Sequence, residues 1–189
     1  MLAGILLAGG RSSRMGQNKA LLQYQNQPLH QHMVGLLTQA GAGKVVVSGL
    51  PEHQGYVPDR VEAQGPIGGI DACIQQLDTA EYVLVLPVDM PLLPVACLTQ
   101  LVDQLKANAS GVCFEKYWLP CGLRNDADLK QLLTKLMASQ DGRDRSMRAL
   151  LKGRELTQLD LTADHRRFIN ANTPGEWQTC LEFDQGKEA

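Results

Sequence analysis

Apolar positions along the chain fall into two alternating patterns. Ile5-Leu6-Leu7, Lys44-Val45-Val46-Val47-Ser48 and Tyr82-Val83-Leu84-Val85-Leu86 are short continuous runs, the composition of strands covered on both faces of a parallel sheet. Between them, Pro28 to Gln39 carries Leu29, His32, Met33, Leu36 and Leu37 at helical spacing and stops at Gly41-Ala42-Gly43. Pro51 to Gln64 reads as irregular, and Gly65-Pro66-Ile67-Gly68-Gly69 leads into a helix over Ile70 to Leu77. Pro94 to Ala107 predicts another amphipathic helix, with Leu98, Leu101, Val102 and Leu105 on one side.

The second half is less regular. Gly111 to Phe114 and Trp118 to Leu123 read as two strands about a turn near Glu115-Lys116. Ala127 to Met137 and Ser146 to Leu151 read as helices, separated by a polar loop. Leu156 to Leu161 and Phe168-Ile169 read as further strands. Thr173-Pro174-Gly175-Glu176 is a capping box with proline at the first helical position, so a last helix should run to about Phe183. Three β-α units in succession favour an open, mostly parallel α/β sheet. A length of 189 residues suits one domain, 1–189, with halves of about 1–107 and 108–183.

In such sheets ligands bind beyond the carboxyl ends of the strands. Three features fall there: Ala8-Gly9-Gly10 after Leu7, Ser48 after Val47, and Asp89 after Leu86. The first opens a polar loop carrying Arg11, Arg14 and Lys19. Glycines let backbone approach a ligand closely, and fixed cations offset a polyphosphate. A Walker A loop needs lysine directly after its second glycine, whereas Gln17 and Asn18 separate Gly16 from Lys19. Adjacent Gly9 and Gly10 also fail the alternating glycines of a dinucleotide fingerprint.

A nucleoside triphosphate there would bring about four negative charges, so transfer at its α-phosphorus calls for neutralisation and positioning more than for a protein nucleophile. Arg14 and Lys19 supply cations, and Asp89 suits Mg²⁺, which takes one or two carboxylates beside phosphates and waters. By spacing alone, Asp89 reads equally as a strand terminator, Ser48 and Asp59 as surface residues, and Asn170 and Asn172 as the entry to the last helix. Arg143, Arg145 and Arg148 form either a solvated face or a cluster for a phosphorylated substrate.

A net charge of −2 and a pI of 6.1 give no electrostatic footprint for nucleic acid. No secretory leader and no long apolar run appears, so a cytoplasmic protein with no membrane partner is expected. Cys73, Cys97, Cys113, Cys121 and Cys180 lack any Cys-x-x-Cys pair and read as reduced core thiols. His30 and His32, two apart on a helix, face different ways and read as no metal pair.

Leu7-Ala8-Gly9-Gly10, Arg14-Met15-Gly16, Lys19, Gly65-Pro66-x-x-Gly69, Asp89-x-Pro91 and Asn170-x-Asn172-Thr173-Pro174, in that order, resemble the signature segments of the molybdenum cofactor guanylyltransferases. The resemblance implies a three-layer, Rossmann-like nucleotidyltransferase fold. It implies GMP transfer from GTP to the phosphate of molybdopterin, giving the guanine dinucleotide cofactor and pyrophosphate. GTP would lie on Leu7, Ala8, Gly9, Gly10, Lys19, Ser48, Asp59, Gly65, Pro66 and Asp89, with Mg²⁺ on Asp89. Arg14, Lys19 and Asp89 would be catalytic. Arg143, Arg145, Asn170 and Asn172 would lie toward the pterin. Other implied partners are transient: enzymes of cofactor biosynthesis and the enzymes that receive the cofactor. Where the family usually has aspartate before the lysine, asparagine after the second strand and histidine before Pro120, this chain has Asn18, Ser48 and Leu119. These departures leave nucleotidyl transfer intact and bear on base and acceptor, so a cytidylyltransferase acting on the pterin or on a sugar or polyol phosphate stays open; a nucleotide-binding module without catalysis is the alternative of another class.

Overall fold

β1 (Leu2–Leu7) is buried along its whole length and sets out the sheet. The computed structural model describes residues 1–9, 16, 18–51, 53–58 and 65–186. In it β1 lies between two parallel neighbours, β4 (Lys44–Ser48) and β6 (Tyr82–Pro87), with Leu7 level with both Ser48 and Pro87. β5 (Tyr56–Val57) extends the sheet beyond β4. Beyond β6 come β8 (Cys121–Arg124), β7 (Gly111–Phe114) and β9 (Leu156–Leu159), giving the order β5-β4-β1-β6-β8-β7-β9. Six of these strands run the same way; β8 alone is reversed.

Side chains alternate across β1, as the pleat requires. Leu2 and Leu6 join the core beneath α1 (Leu29–Gln39), α3 (Val95–Lys106) and α6 (Pro174–Asp184). Ala3, Ile5 and Leu7 join a second core beneath α2 (Gly65–Ile74), α4 (Ala127–Ala138) and α5 (Met147–Lys152). Three layers result, as the resemblance implies. Val83, Leu84, Val85 and Leu86 are all fully buried, each contributing about 1.5–3 kcal/mol of transfer free energy. The central strands are thus the most securely held platform in the chain, and it is their ends that carry the site.

Several expected boundaries differ. α2 begins at Gly65, inside the glycine segment, and ends at Ile74, where Ile70 to Leu77 was expected. Gly69 is a packing position: a Cβ there would lie 2.4 Å from Ser48 Oγ. The stretch read as irregular contains β5, whose two residues are too few to show a period. β8 starts only at Cys121, because Pro120 has no N–H for the ladder; the Leu119–Pro120 peptide is cis. Phe168-Ile169 is not a strand. His165–Phe168 form a 3-10 turn whose N-cap, Asp164, accepts from the Arg166 N–H. A hairpin, β2 (Gln23–Tyr24) with β3 (Gln27–Pro28), was not anticipated. Gln25 and Asn26 take positive φ at its tip, the conformation that matches the twist of paired strands.

The five cysteines are free and buried, as expected. Burial alone pushes the Cys113 thiol up to about 11. At the end of the sheet where β6 begins, Asp126 caps α4 by accepting from the Leu129 N–H at 2.8 Å. Its other oxygen pairs at 2.7 Å with Arg154, which is 4% exposed. No described helix is long and apolar enough to cross a membrane.

Candidate active site

The three strand ends singled out in the sequence meet. Ala8 N–H donates to the Ser48 carbonyl at 2.8 Å, and Val88 N–H to the Leu7 carbonyl at 3.0 Å. These bonds carry the parallel pairing one residue past each strand and bring the chain after β1 between those after β4 and β6. Gly9 and Gly49 cross so closely that a Cβ on Gly49 would fall 2.1 Å from Gly9 Cα, and Gly49 has φ +79°. Gly49 escaped the sequence reading; its only signal was a glycine directly after a strand.

Leu7 and Ala8 are buried, whereas Gly9, Gly65 and Pro66 are exposed at the rim. Gly65 has φ +63° and open space where a Cβ would sit, at the start of α2. Ser48 is buried with its hydroxyl against Gly69. Gly10, Arg14 and Asp59 lie outside the described residues.

Lys19 and Asp89 come together at this end of the sheet. Asn18 caps the 3-10 turn Lys19–Leu21 by accepting from the Ala20 N–H at 3.1 Å, which fixes the lysine's backbone. From there Lys19 Nζ reaches Asn172 Oδ1 at 2.5 Å and Asp89 Oδ2 at 3.5 Å. Burial pushes the Asp89 carboxyl above its ordinary range, and the Lys19 ammonium only partly opposes this. The loop after Asp89 is held from α1. Burial keeps His32 below the usual imidazole range, and its Nε2–H donates to the Pro91 carbonyl at 3.0 Å. His30 turns the other way, bonding the Ala20 carbonyl through Nδ1 at 2.8 Å, so the two histidines part company as their spacing requires.

The segment before α6 closes the site. Ala171 N–H donates to the Asp89 carbonyl at 2.8 Å. Asn172 N–H and the Thr173 hydroxyl both donate to Glu176 Oε2, at 2.9 and 3.0 Å. The sequence shows Glu176 only as part of a capping box; its hold on Asn172 is new. Asn170 is exposed and Asn172 half-buried. Arg143 is tied to Asp141 at 2.8 Å, and Arg145 Nη1 to the Ser139 carbonyl. Both lie on the loop between α4 and α5, and no bond links them to the Lys19–Asp89 pair among the described residues.

A model described as the MobA-like NTP transferase domain matches residues 4–159. The chain belongs to the MobA-like NTP transferase family. A molybdenum cofactor guanylyltransferase from Xanthomonas euvesicatoria is 45% identical over 180 residues, 94% of this chain and 93% of that protein. Molybdopterin-guanine dinucleotide biosynthesis protein A from Archaeoglobus fulgidus shares the fold with a TM-score of 0.77 at 16% identity, over 98% of this chain and 100% of that one. CMP:2-keto-3-deoxy-manno-octonic acid synthetase, complexed with CTP, does so with a TM-score of 0.76 at 13% identity, over 99% of each chain. At such identities the likeness shows the fold alone. The MobA-like match stops at Leu159, before the Asn172–Glu176 segment that closes on Lys19.

Proposed function

We propose that the protein transfers GMP from GTP to the phosphate of molybdopterin, giving the guanine dinucleotide cofactor and pyrophosphate, and that it acts in the cytoplasm. The observation that carries the reading is the meeting of Lys19, Asp89 and Asn172 at the carboxyl end of the sheet. The nucleotide half and the acceptor half supply one site. The choice of guanine and of the pterin is supported by the 45% identical relative, a molybdenum cofactor guanylyltransferase.

In this reading an acceptor phosphate oxygen attacks the α-phosphorus of GTP. The bond from that phosphorus to the bridging oxygen breaks, and pyrophosphate leaves. Gly9 and Gly10 let the backbone come close to the phosphates, with Ser48, Asp59, Gly65 and Pro66 on the nucleoside side. Lys19 and Arg14 hold negative charge through the transition state. Asn170 and Asn172 line the acceptor side in this reading, and Arg143 and Arg145 join them by leaving Asp141 and the Ser139 carbonyl.

Among the described residues no three His, Cys, Asp or Glu side chains cluster as a resident metal site would require. Asp89, 22% exposed and loosely paired, is instead a single oxygen donor of the kind that shares Mg²⁺ with substrate phosphates. A magnesium ion held there would neutralise the triphosphate as charge moves onto the leaving group. Enzymes that make or receive the cofactor are the expected transient partners.

Mixing the protein with Mg²⁺, each of the four nucleoside triphosphates and either molybdopterin cofactor or a sugar or polyol phosphate tests the reading. GTP should give dinucleotide and pyrophosphate. Product with CTP alone would overturn the guanylyl assignment, product only on a sugar or polyol phosphate would overturn the pterin, and tight GTP binding without turnover would leave a binding module.

A further inference from the structure

Glu176 is explained by sequence as a helix cap, but its carboxylate also reaches one residue beyond the cap, to the Asn172 N–H. The start of α6 is already capped by Thr173, whose hydroxyl oxygen accepts from the Glu176 N–H at 3.2 Å. Both bonds made by Glu176 Oε2 run back to the segment ahead of the helix, to Asn172 N–H and the Thr173 hydroxyl. Immediately upstream, Ala171 N–H is pinned to the carbonyl of Asp89 itself. The backbone at Asn172 is therefore fixed on one side by Glu176 and on the other, through Ala171, by the Asp89 carbonyl. With both ends held, its carboxamide oxygen reaches Lys19 Nζ, 153 residues away in sequence. The ammonium that results lies between Asn172 and Asp89.

We propose that Glu176 is a positioning residue: by fixing the backbone of Asn172 it makes that side chain the holder of Lys19 and sets where the ammonium stands beside Asp89. The proposal deepens the nucleotidyl-transfer reading and rests on it for the role of Lys19, though the Lys19 contact itself can be tested without turnover. Asn172 thereby gains a task on the nucleotide side, beyond the acceptor side that the sequence suggests. Hydrogen bonds from Thr173 and Asn172 hold the Glu176 carboxyl below its usual range, so it remains an acceptor at neutral pH.

The first measurement is the acetylation rate of each lysine by acetic anhydride, read by mass spectrometry, with exposed Lys106 and Lys152 as internal references. Lys19 should react several-fold faster in Glu176→Ala and in Asn172→Ala, and at the parent rate in Glu176→Gln, whose amide oxygen can accept the same two bonds. The Asn172→Ala variant leaves the helix cap intact, so an unchanged Lys19 rate in it overturns the proposal even if Glu176→Ala folds poorly. A Lys19 rate unchanged in Asn172→Ala, or in a folded Glu176→Ala, would overturn the proposal.

The second measurement is pyrophosphate release from GTP and the pterin acceptor. Glu176→Ala should lower kcat about ten- to a hundredfold with acceptor KM little changed, since a small misplacement of a charged group costs that much. Glu176→Gln should restore most of it. In an Asn172→Ala background the Glu176→Ala loss should largely vanish, because the two act through one contact. Fully additive losses would mean that Glu176 is a cap only. If the parent protein releases no pyrophosphate, the nucleotidyl-transfer reading fails, while the lysine rates still decide the proposal.

Discussion

At the carboxyl end of the sheet Lys19 stands 3.5 Å from Asp89; at the opposite end Arg154 meets Asp126 at 2.7 Å. Both are cation–carboxylate pairs at the edge of a core, yet the fold treats them differently. Burial pushes both carboxyls upward. At Asp126 it is outweighed by the Arg154 guanidinium and the Leu129 N–H, and the group ends below its ordinary range. At Asp89 burial prevails over Lys19, and the group ends above it. Arg154 also gives weak bonds to the Ser110 and Arg124 carbonyls, tying three segments together. Lys19 is instead divided between Asp89 and Asn172. The closed pair is a structural clamp. The open pair leaves a carboxylate whose charge the protein does not fully compensate, and a cation from the ligand side would lower its free energy.

Substitutions should separate the two pairs. The largest effect is expected at the open one: Lys19→Ala and Asp89→Asn should each cut pyrophosphate release about a thousandfold, the scale of losing a group that stabilises developing charge. Thermal unfolding should barely move, and Asp89→Asn should raise the midpoint slightly by removing an undercompensated charge. Turnover close to the parent's in either variant would remove that residue from its role. Arg154→Met should do the reverse, retaining kcat while lowering stability by about 2–3 kcal/mol. This is less than the 3–5 kcal/mol for breaking a fully buried pair, because Asp126 is 31% exposed and still caps α4. A shift in the denaturant midpoint at unchanged slope measures it; no shift would make the clamp ornamental.

The same contrast explains what could be read from sequence. β1, β4 and β6 were legible because strands covered on both faces must be continuously apolar, and the site beyond them was legible as three polar interruptions at their ends. α2 misled because Gly65, Gly68 and Gly69 argue against a helix by propensity; Gly69 is there to admit Ser48, a tertiary reason with no local trace. β5 and the hairpin β2-β3 are too short for any period to appear. The closing of Asn172 on Lys19 depends on how α6 returns across the sheet. Both residues could be nominated from their segments, but only the fold shows that they touch. Arg143 and Arg145, chosen for charge, turn out to be engaged within their own loop.

The smallest expected effect tests the clamp by pH. A carboxyl held below its unfolded pKa adds stability that is present above the unfolded value, about 4, and lost as pH falls through the lower folded value. Asp126 is such a group. Asp126→Asn keeps a good helix cap but cannot carry the charge, so at pH 7 it should be less stable than the parent by about 1.5 kcal/mol, the low end for a hydrogen bond to a charged partner because Asp126 is 31% exposed. As the parent's own carboxyl protonates, the two denaturation curves should draw together, becoming nearly equal once the pH has fallen below that lowered folded value. Parallel curves down to that pH would mean that Arg154 gains nothing from the charge of Asp126. The clamp would then be a matter of packing alone, and the distinction between the two ends of the sheet would rest on Lys19 and Asp89.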